Sequence, residues 1–330
     1  MVNCLYTIKE FKLNCSDTQV HHPYYFAIAD YNNTLVCYWD LSYKASQLSI
    51  WDLETGEHKR DFELAQAHEF GLGKNGKVCV VNFQDFVWKL DIETQELIGN
   101  HANNIMSISM SNPRCFAICS TQTLFVVGNS VGNRGEFEVW NYETYSRHLH
   151  HQFEGVGLTA QGTSFSSSKP EALIDQLTPF LFTPDGKILV VTFKKPNKRK
   201  LQIWDLETGE LLQTLDDLPI SIMNALAISA DGNIFACGTR ESQVCVWELI
   251  SDKILYQSTE VSPCLMSADG RILIHCTKEF EIVVWDLVEN QERCKLSGHT
   301  APIVYITMSS DRQFIASYSL DRSIKIWGLF

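Results

Sequence analysis

Residues 51–57 read WDLETGE, and residues 204–210 read WDLETGE again, letter for letter. Before each copy the chain alternates apolar and other residues, as in LSIWDL at 48–53 and LQIWDL at 201–206. Alternation with a period of two is typical of β-strands, and a following glycine allows a tight turn. No stretch of the chain shows sustained helical periodicity. The repeat therefore predicts an all-β fold built from one recurring unit.

Seven of the eight tryptophans end a short apolar run of this kind. They are Trp51, Trp88, Trp140, Trp204, Trp247, Trp285 and Trp327. Four of the six spacings between them are 37–43 residues, and the other two, 52 and 64, predict insertions. Asp-Gly pairs at 185–186, 231–232 and 269–270 supply the positive φ that tight turns need. We expect seven units, each of four antiparallel strands.

Trp39 is the exception, because it lies twelve residues before Trp51. Aligning residues 34–53 with residues 187–206 places Trp39 in the second strand of its unit, whereas Trp51 falls in the third. Trp39 therefore does not mark an eighth unit.

These units resemble the WD-repeat family, and the resemblance covers essentially the whole chain. It implies one domain, residues 1–330, folded as a seven-bladed β-propeller with the seven tryptophans as blade centres. The last unit has the fuller signature, in which His299, Ser317, Asp321 and Trp327 hydrogen-bond across one blade. The other units lack the Gly-His pair, so we expect apolar packing alone to hold them.

The resemblance also implies how the ring of blades closes. Only three residues follow Trp327, so the last unit lacks an outer strand of its own. Residues 4–13, CLYTIKEFKL, form a strand-like run that precedes the first complete unit. In the family the N-terminal strand completes the last blade, which removes an exposed sheet edge. We expect tryptophans such as Trp51, Trp204 and Trp285 to pack between neighbouring blades.

Composition restricts the classes of function. The formal net charge is −12, so nucleic acid is an unfavourable partner except at a local basic patch. The N-terminal stretch does not read as a signal peptide, and no apolar run approaches the length of a membrane span. Most of the eleven cysteines lie in apolar strand-like runs, which is typical of reduced thiols in a cytoplasmic protein. We expect no metal and no cofactor.

Three motifs resemble chemical sites. Residues 71–76 fit G-x-G-x-x-G and residues 128–132 fit G-x-S-x-G, but both motifs need a following helix, and here a strand-like run follows. We therefore interpret the first as a turn between two strands and the second as part of a hairpin. His148, His150 and His151 have a spacing that could bind metal, but no carboxylate or thiol obviously completes the site, and a solvated outer strand is favoured.

Three functions remain open. The first is a non-catalytic scaffold that binds another protein, and no reaction-competent constellation argues against it. The second is an enzyme that uses the central channel. The third is binding of an anionic ligand, nucleic acid or phosphoinositide, through one basic hairpin. The resemblance favours the scaffold, although a fold alone does not determine a function. The sequence leaves the oligomeric state open.

The binding surface is predicted from where the insertions fall. The turns between first and second strands, and between third and fourth strands, are uniformly short. The opposite face holds every long segment: the links 100–114 and 152–178 and the hairpins 42–47, 129–136 and 194–200. Function concentrates in long loops on a rigid scaffold. We therefore expect this long-loop face to bind the partner.

The hairpin 194–200 reads KKPNKRK and contains five cations and no acid. We expect Lys194, Lys195, Lys198, Arg199 and Lys200 to contact an acidic partner. The Ser-rich stretch 162–169, which includes Phe165, should become ordered beside them on binding. A solvated hairpin tip, kept soluble by its charge, is the alternative interpretation.

Overall fold

A computed structural model describes residues 4–9, 23–29, 33–42, 45–64, 69–73, 78–83, 86–92, 94, 97–98, 106–107, 115–119, 121–131, 134–154, 157–158, 179–194, 199–216, 222–239, 244–251, 253–258 and 264–329. All regular structure in these residues is β. The strands are, in chain order, β1 (Cys4–Lys9), β2 (Pro23–Ala29), β3 (Thr34–Ser42), β4 (Ala45–Asp52), β5 (His58–Leu64), β6 (Glu69–Gly73), β7 (Val78–Phe83), β8 (Phe86–Asp91), β9 (Leu97–Ile98), β10 (Met106–Ser107), β11 (Cys115–Ile118), β12 (Leu124–Val131), β13 (Arg134–Asn141), β14 (Ser146–Glu154), β15 (Gly157–Leu158), β16 (Phe180–Phe182), β17 (Ile188–Lys194), β18 (Arg199–Asp205), β19 (Leu211–Leu215), β20 (Ile222–Ile228), β21 (Ile234–Thr239), β22 (Val244–Glu248), β23 (Lys253–Ser258), β24 (Cys264–Met266), β25 (Ile272–Cys276), β26 (Ile282–Asp286), β27 (Gln291–Leu296), β28 (Ile303–Met308), β29 (Phe314–Ser319) and β30 (Ser323–Gly328).

Within the described residues the strands form seven antiparallel sheets, which we number along the chain. Sheet one is β2–β5, sheet three is β11–β14, sheet five is β20–β23 and sheet six is β24–β27. Sheet two is β6–β8 with β9 and β10 both paired to β8, and sheet four is β17–β19 with β15 and β16 both paired to β17. Sheet seven is β28–β30 with β1 paired to β30. Each sheet runs in chain order from its first strand to its fourth, except that β1 supplies the fourth strand of sheet seven.

The sheets follow one another around an axis. The first strand of each sheet contacts the first strand of the next, from β2 through β6, β11, β16, β20 and β24 to β28, and β28 contacts β2. The buried apolar clusters lie between neighbouring sheets. Leu35 of sheet one packs with Tyr318 of sheet seven, and Val190 of sheet four packs with Trp247 of sheet five. This arrangement is consistent with a β-propeller.

The predicted Asp-Gly turns are present between the first and second strands of sheets four, five and six. Gly186, Gly232 and Gly270 have φ angles of 71°, 72° and 69°. In each turn an aspartate oxygen accepts the N–H of the residue that follows the glycine, as Asp185 Oδ1 does from Lys187 at 3.0 Å. Glycine has no Cβ and adopts the left-handed conformation without a steric penalty, so these turns form without backbone strain.

Trp39 lies in β3, the second strand of sheet one, as the alignment predicts. The prediction that Trp88 is equivalent to the other third-strand tryptophans is wrong, because the equivalent residue is Leu90, two positions later. In sheets one and four the third-strand tryptophan pairs with the second residue of the preceding strand, as Trp51 does with Leu35. In sheet two that position belongs to Leu90, which pairs with Cys79, while Trp88 pairs with Val81. Residues two apart share a strand face, so the apolar pattern could not distinguish them.

Two predicted long hairpins are mostly paired strand. Residues 129–131 and 134–136 form a ladder in which Asn129 pairs with Glu136, and Ser42 pairs with Ala45. The prediction of irregular loops at 42–47 and 129–136 is therefore wrong for their described residues. In the third hairpin, 194–200, Lys194 pairs with Arg199 at the base. Residues 43–44, 132–133 and 195–198 lie outside the described residues.

The two predicted long links also differ from the structure. Strands β9 and β10 pair with successive residues of β8, so the insertion at 99–105 interrupts the fourth strand of sheet two. Strands β15 and β16 pair with successive residues of β17, so residues 159–179 interrupt the first strand of sheet four. At the interruption, Pro179 O accepts the N–H of Thr192 at 2.8 Å. The insertions therefore lie within strand positions, not between sheets.

Deletion of residues 1–13 should abolish the soluble monomer. The deletion removes β1 and exposes the edge of β30, and an exposed edge strand pairs with other chains. Size-exclusion chromatography and thermal unfolding test this, with deletion of residues 1–3 as the control that keeps β1. A truncated protein that stays monomeric with an unchanged Tm would contradict the expectation.

Trp204→Ala should reduce the free energy of unfolding by about 3–5 kcal/mol, the usual cost of emptying a large buried site. The Trp204 side chain is buried and packs edge-on against Phe137 of sheet three, at 5.6 Å between ring centroids. The exposed Glu207→Ala is the control and should cost less than about 0.5 kcal/mol. Denaturant unfolding compares the three proteins, and an equal midpoint for Trp204→Ala would refute the packing argument.

Candidate interaction surface

Sheets one, three and four extend further than sheets five and six at the end of the molecule that holds the hairpins between second and third strands. In sheet five the last pair is Gly238 with Val244, three residues before the tryptophan. In sheet three the ladder continues to Val131 and Arg134, six residues before Trp140. In sheet one the ladder continues to Ala45, six residues before Trp51, and in sheet four it continues to Arg199, five residues before Trp204. We call these three ladders the extended hairpins.

A groove of about 590 Å³ lies on the extended hairpin of sheet three. It is lined by Asn129, Arg134, Gly135, Glu136, Gln152, Phe153 and Glu154. Most of these side chains are polar, and all come from the three outer strands. The groove is open to solvent, so a ligand that lies in it stays partly exposed.

One carboxylate organises the polar wall of the groove. Asn129 pairs with Glu136, and Glu136 pairs with Gln152, so the three side chains form one cross-strand row. Glu136 Oε2 lies 3.2 Å from His150 Nε2 and accepts a hydrogen bond from Gln152 Nε2 at 3.3 Å. At the rim, Arg134 Nε lies 3.3 Å from Glu154 Oε1, and both side chains are exposed. Exposed pairs of this kind contribute little stability, so they are free to exchange partners.

The groove is joined to the basic hairpin by aromatic packing. The ring of Phe153 covers Gly135 so closely that a Cβ there would lie 2.4 Å from the ring. Phe153 also packs edge-on against Phe193 of sheet four, with 4.9 Å between ring centroids. Phe193 directly precedes Lys194, the first cation of the hairpin 194–200. The groove therefore lies beside the strand that leads into the hairpin 194–200.

The structure describes only part of the predicted partner-binding set. Lys194 and Arg199 are a backbone pair at the end of the ladder in sheet four. The Lys200 side chain is about three-quarters covered, and its Nζ lies 4.0 Å from Asp216 Oδ1. Lys195, Lys198 and Phe165 lie outside the described residues. The residues of the groove were missed by the sequence analysis, because only cross-strand pairing brings 129, 136 and 152 together.

The three histidines of β14 have separate roles. His148 Nε2 contacts the carbonyl oxygen of Leu206 in sheet four, and His150 contacts Glu136. His151 points to the other face, where its ring lies 4.6 Å from that of Trp204. Burial, followed by His150 and Lys200, lowers the pKa of His151. Among the described residues, no group of three His, Cys, Asp or Glu could hold a metal ion.

Sheet seven contains a continuous chain of side-chain hydrogen bonds. Trp327 Nε1 donates to Ser317 Oγ at 2.9 Å, and His299 Nε2 lies 2.8 Å from the same oxygen. His299 Nδ1 lies 2.8 Å from Asp321 Oδ2. With Nδ1 protonated, the neutral ring donates to Asp321 and accepts from Ser317, so every donor finds an acceptor. Burial lowers the pKa of His299, and Asp321 raises it without cancelling the effect of burial.

The expectation that apolar packing alone holds the other sheets is wrong for sheets three, five and six, which also contain side-chain hydrogen bonds. In sheet three, Trp140 Nε1 donates at 3.0 Å to Glu138, a buried carboxylate that also accepts from Arg147 at 2.8 Å. Between sheets five and six, the Tyr256 hydroxyl lies 3.0 Å from His275 Nε2. By contrast, the buried indole nitrogens of Trp204, Trp247 and Trp285 have no hydrogen-bond partner in the described part of the chain.

The described residues of the G-x-G-x-x-G motif at 71–76 and of the G-x-S-x-G motif at 128–132 lie in strand pairs, whereas the chemistry of each needs a strand that leads into a helix. Gly71 and Gly73 lie in β6, and the next described element is the strand β7. Gly128 and Ser130 lie in β12, paired with Phe137 and Gly135 of β13, so this motif belongs to a strand hairpin as predicted. In the described part of the chain the element that follows each motif is a strand. Among the described residues, no helix is long and apolar enough to cross a membrane.

Comparison with known proteins gives one family. Residues 209–248 and 290–328 match the model for the WD40 repeat, described as WD domain, G-beta repeat. Each match covers the fourth strand of one sheet and the first three strands of the next, β19–β22 and β27–β30. The match confirms the resemblance inferred from the tryptophan units. The comparison with curated proteins gave no match.

The free energy of unfolding should fall as the pH drops below about 6.5, the ordinary pKa of histidine. Because the folded-state pKa values of His151 and His299 are lowered, the unfolded chain binds protons first as the pH falls. The stabilisation is complete above that pH and is lost below it. Thermal unfolding at about pH 7.5 and about pH 5.5 measures the difference.

His151→Phe is the matched variant for this test. Phe62 of sheet one occupies the same register position, since Leu48 pairs with Phe62 as Phe137 pairs with His151. The variant should keep the ring packing on Trp204 and lose part of the acid sensitivity. The same decline in both proteins would show that His151 does not contribute.

Proposed function

We propose that this WD40-repeat chain is a non-catalytic protein-interaction scaffold, folded over residues 1–330 as one closed seven-bladed propeller. WD40 repeats generally mediate protein–protein interaction. The proposal of a closed ring is supported by the contact of β28 with β2 and the pairing of β1 with β30. Each sheet numbered above then corresponds to one blade. In sheet two, Leu90 takes the central position assigned to Trp88.

The observation that carries the proposal is the joined surface of sheets three and four. A polar groove lies on sheet three, and Phe153 of this groove packs on Phe193, which directly precedes the segment KKPNKRK with its five cations. The rest of the chain is strongly acidic, so this surface has a charge that the remainder lacks. We propose that an acidic segment of a partner lies across the hairpin and places its polar residues in the groove.

Four cations of the hairpin are proposed to make the main contacts: Lys194, Lys195, Lys198 and Arg199. Lys200 contributes less, because its ammonium group already lies near Asp216 and its side chain is mostly covered. Phe165, from the Ser-rich stretch 162–169, is proposed as an apolar contact. His299, Ser317, Asp321 and Trp327 are proposed to stabilise the last blade and not to bind the partner.

Replacement of Lys194, Lys195, Lys198 and Arg199 by Ser should abolish partner binding and leave the Tm within a degree or two. The change removes four charges from a short polar segment, KKPNKRK, and alters no apolar side chain, so the fold should not respond. A quantitative pull-down from native lysate compares the variant with the wild type. The control replaces four exposed lysines elsewhere, Lys187, Lys253, Lys278 and Lys295, by Ser, and should keep the partner.

Two results would contradict this assignment. Partners retained by the hairpin variant and lost by the control variant would move the binding surface away from sheets three and four. Direct binding to single-stranded DNA or to phosphoinositide vesicles, lost in the hairpin variant and steeply salt-dependent, would instead indicate an anionic ligand.

A further inference from the structure

The described residues expose five large aliphatic side chains, and all five belong to sheets four, five and six. They are Leu211, Leu212, Ile250, Ile254 and Val288. Ile250 is 84% exposed, Val288 is 69% exposed and Leu212 is 55% exposed. Single apolar residues on a surface are ordinary, but a group of them confined to neighbouring sheets marks an interaction site.

These residues lie at one level of the molecule, at the end opposite the extended hairpins. Leu211 and Ile254 pair with the tryptophans of their own sheets, Trp204 and Trp247. Ile250 and Val288 each lie three residues after a tryptophan, in the turn between third and fourth strands. The group therefore lies where the outer strands of sheets four, five and six begin.

The fold does not require aliphatic side chains in these turns. Three residues after the tryptophan, sheets one, three and four have Glu54, Glu143 and Glu207, all exposed. The backbone of the Val288 turn is held as in the Glu207 turn. The N–H of Glu207 donates to Asp205 Oδ1 at 2.8 Å, and the N–H of Val288 donates to Asp286 Oδ1 at 3.0 Å. In sheet five the N–H of Ile250 donates instead to Asn233 Oδ1 at 2.9 Å. Each of these bonds uses the backbone N–H, so none of the turns needs an aliphatic side chain.

The register places Leu212 next to Ile250 across the boundary between sheets four and five. At the boundary between sheets three and four, His148 contacts the carbonyl of Leu206, which lies in the corresponding turn. Leu212 has the position of His148, because Trp204 pairs with Leu211 as Trp140 pairs with Arg147. The same boundary buries Trp247 and Leu249 against Leu215.

The boundary between sheets five and six repeats this arrangement. There Leu255 packs in one cluster with Trp285 and Leu287, and Leu287 directly precedes Val288. The five exposed residues therefore form a strip that crosses three sheets, which we call the aliphatic strip.

The chain around the aliphatic strip is acidic. Residues 205–212, 248–255 and 286–293 contain eight acidic and two basic residues. Glu207 and Glu210 are exposed beside Leu211, and Glu289 is exposed beside Val288. One of the two basic residues, Arg293, is held by its Nε at 3.0 Å from the buried carboxylate of Asp286. A ligand of this strip needs an apolar face bordered by positive charge.

We propose that the aliphatic strip docks a cationic amphipathic helix of a partner protein. The apolar face of such a helix, with side chains at i, i+3, i+4 and i+7, covers Leu212, Ile250 and Val288. Lysine and arginine side chains on the helix flanks meet Glu207, Glu210 and Glu289. This site is separate from the surface proposed above, so the chain would hold two partners at opposite ends.

An 18-residue helical peptide of leucine and lysine is the probe, and fluorescence anisotropy with the full chain is the measurement. Ile250→Gln with Val288→Gln should weaken binding about ten-fold or more, since two apolar contacts are lost. Glutamine is neutral, and equivalent turns already accept glutamate, so the Tm should not change. The control, Glu54→Gln with Glu143→Gln in the same turn position, should change affinity less than about two-fold.

The two halves of the proposal are tested separately. Glu207→Gln with Glu210→Gln should weaken binding and reduce its dependence on salt. Leu212→Gln with Ile254→Gln provides a second apolar variant if the first does not fold. If both glutamine variants of the aliphatic residues fold and bind the peptide with unchanged affinity, the peptide is held by charge attraction alone and the proposal is overturned. Equal binding of a leucine and glutamate peptide would overturn the charge assignment, and a wild-type dimer separated by Ile250→Gln with Val288→Gln would assign the strip to a second copy.

Discussion

Sheets four to seven of this protein are apolar on both faces, and the rest of the structure depends on covering both. In sheet five, Cys237 and Cys245 belong to the cluster shared with sheet four, while Ala236, Val244 and Val246 belong to the cluster shared with sheet six. A four-stranded sheet of this kind cannot be stable alone, and stacking in one direction leaves the end faces bare. Arranging the sheets around an axis gives each one two neighbours. In sheet seven the hydrogen-bonded side chains of His299, Ser317 and Trp327 add to this packing. The equivalent tryptophans Trp204, Trp247 and Trp285 are packed without a hydrogen bond to the indole N–H among the described residues, so the packing does not require such a bond.

Buried strands could be predicted from the sequence because their pattern is strong. The third strands around Trp51, Trp204, Trp247 and Trp285 all lie where the apolar runs predict. Trp88 was misplaced by two residues for a physical reason, since a shift of two keeps the same face towards the core. The strands of the extended hairpins were not predicted, because their apolar pattern is weak. In a strand such as 129–131 two of the three residues, Asn129 and Ser130, are polar, and Gly128 precedes them, so the apolar signal of a strand disappears.

The candidate site was only partly predictable. A run such as KKPNKRK is visible in composition, because charge density needs no knowledge of pairing. The groove beside it needs Asn129, Glu136 and Gln152 in one cross-strand row, and sequence distance gives no hint of that row. The aliphatic strip was missed because each of its residues is unremarkable alone. Only the register, which equates Ile250 and Val288 with Glu54, Glu143 and Glu207, shows that the turns of two neighbouring sheets differ from the turns of sheets one, three and four.

The pairing of β1 with β30 has a consequence for how the protein is made. A ribosome completes β1 before Ser323–Gly328, so β1 has no native partner while the intervening sheets emerge. Formation of the β1–β30 pair therefore has to wait until more than three hundred further residues have been synthesised.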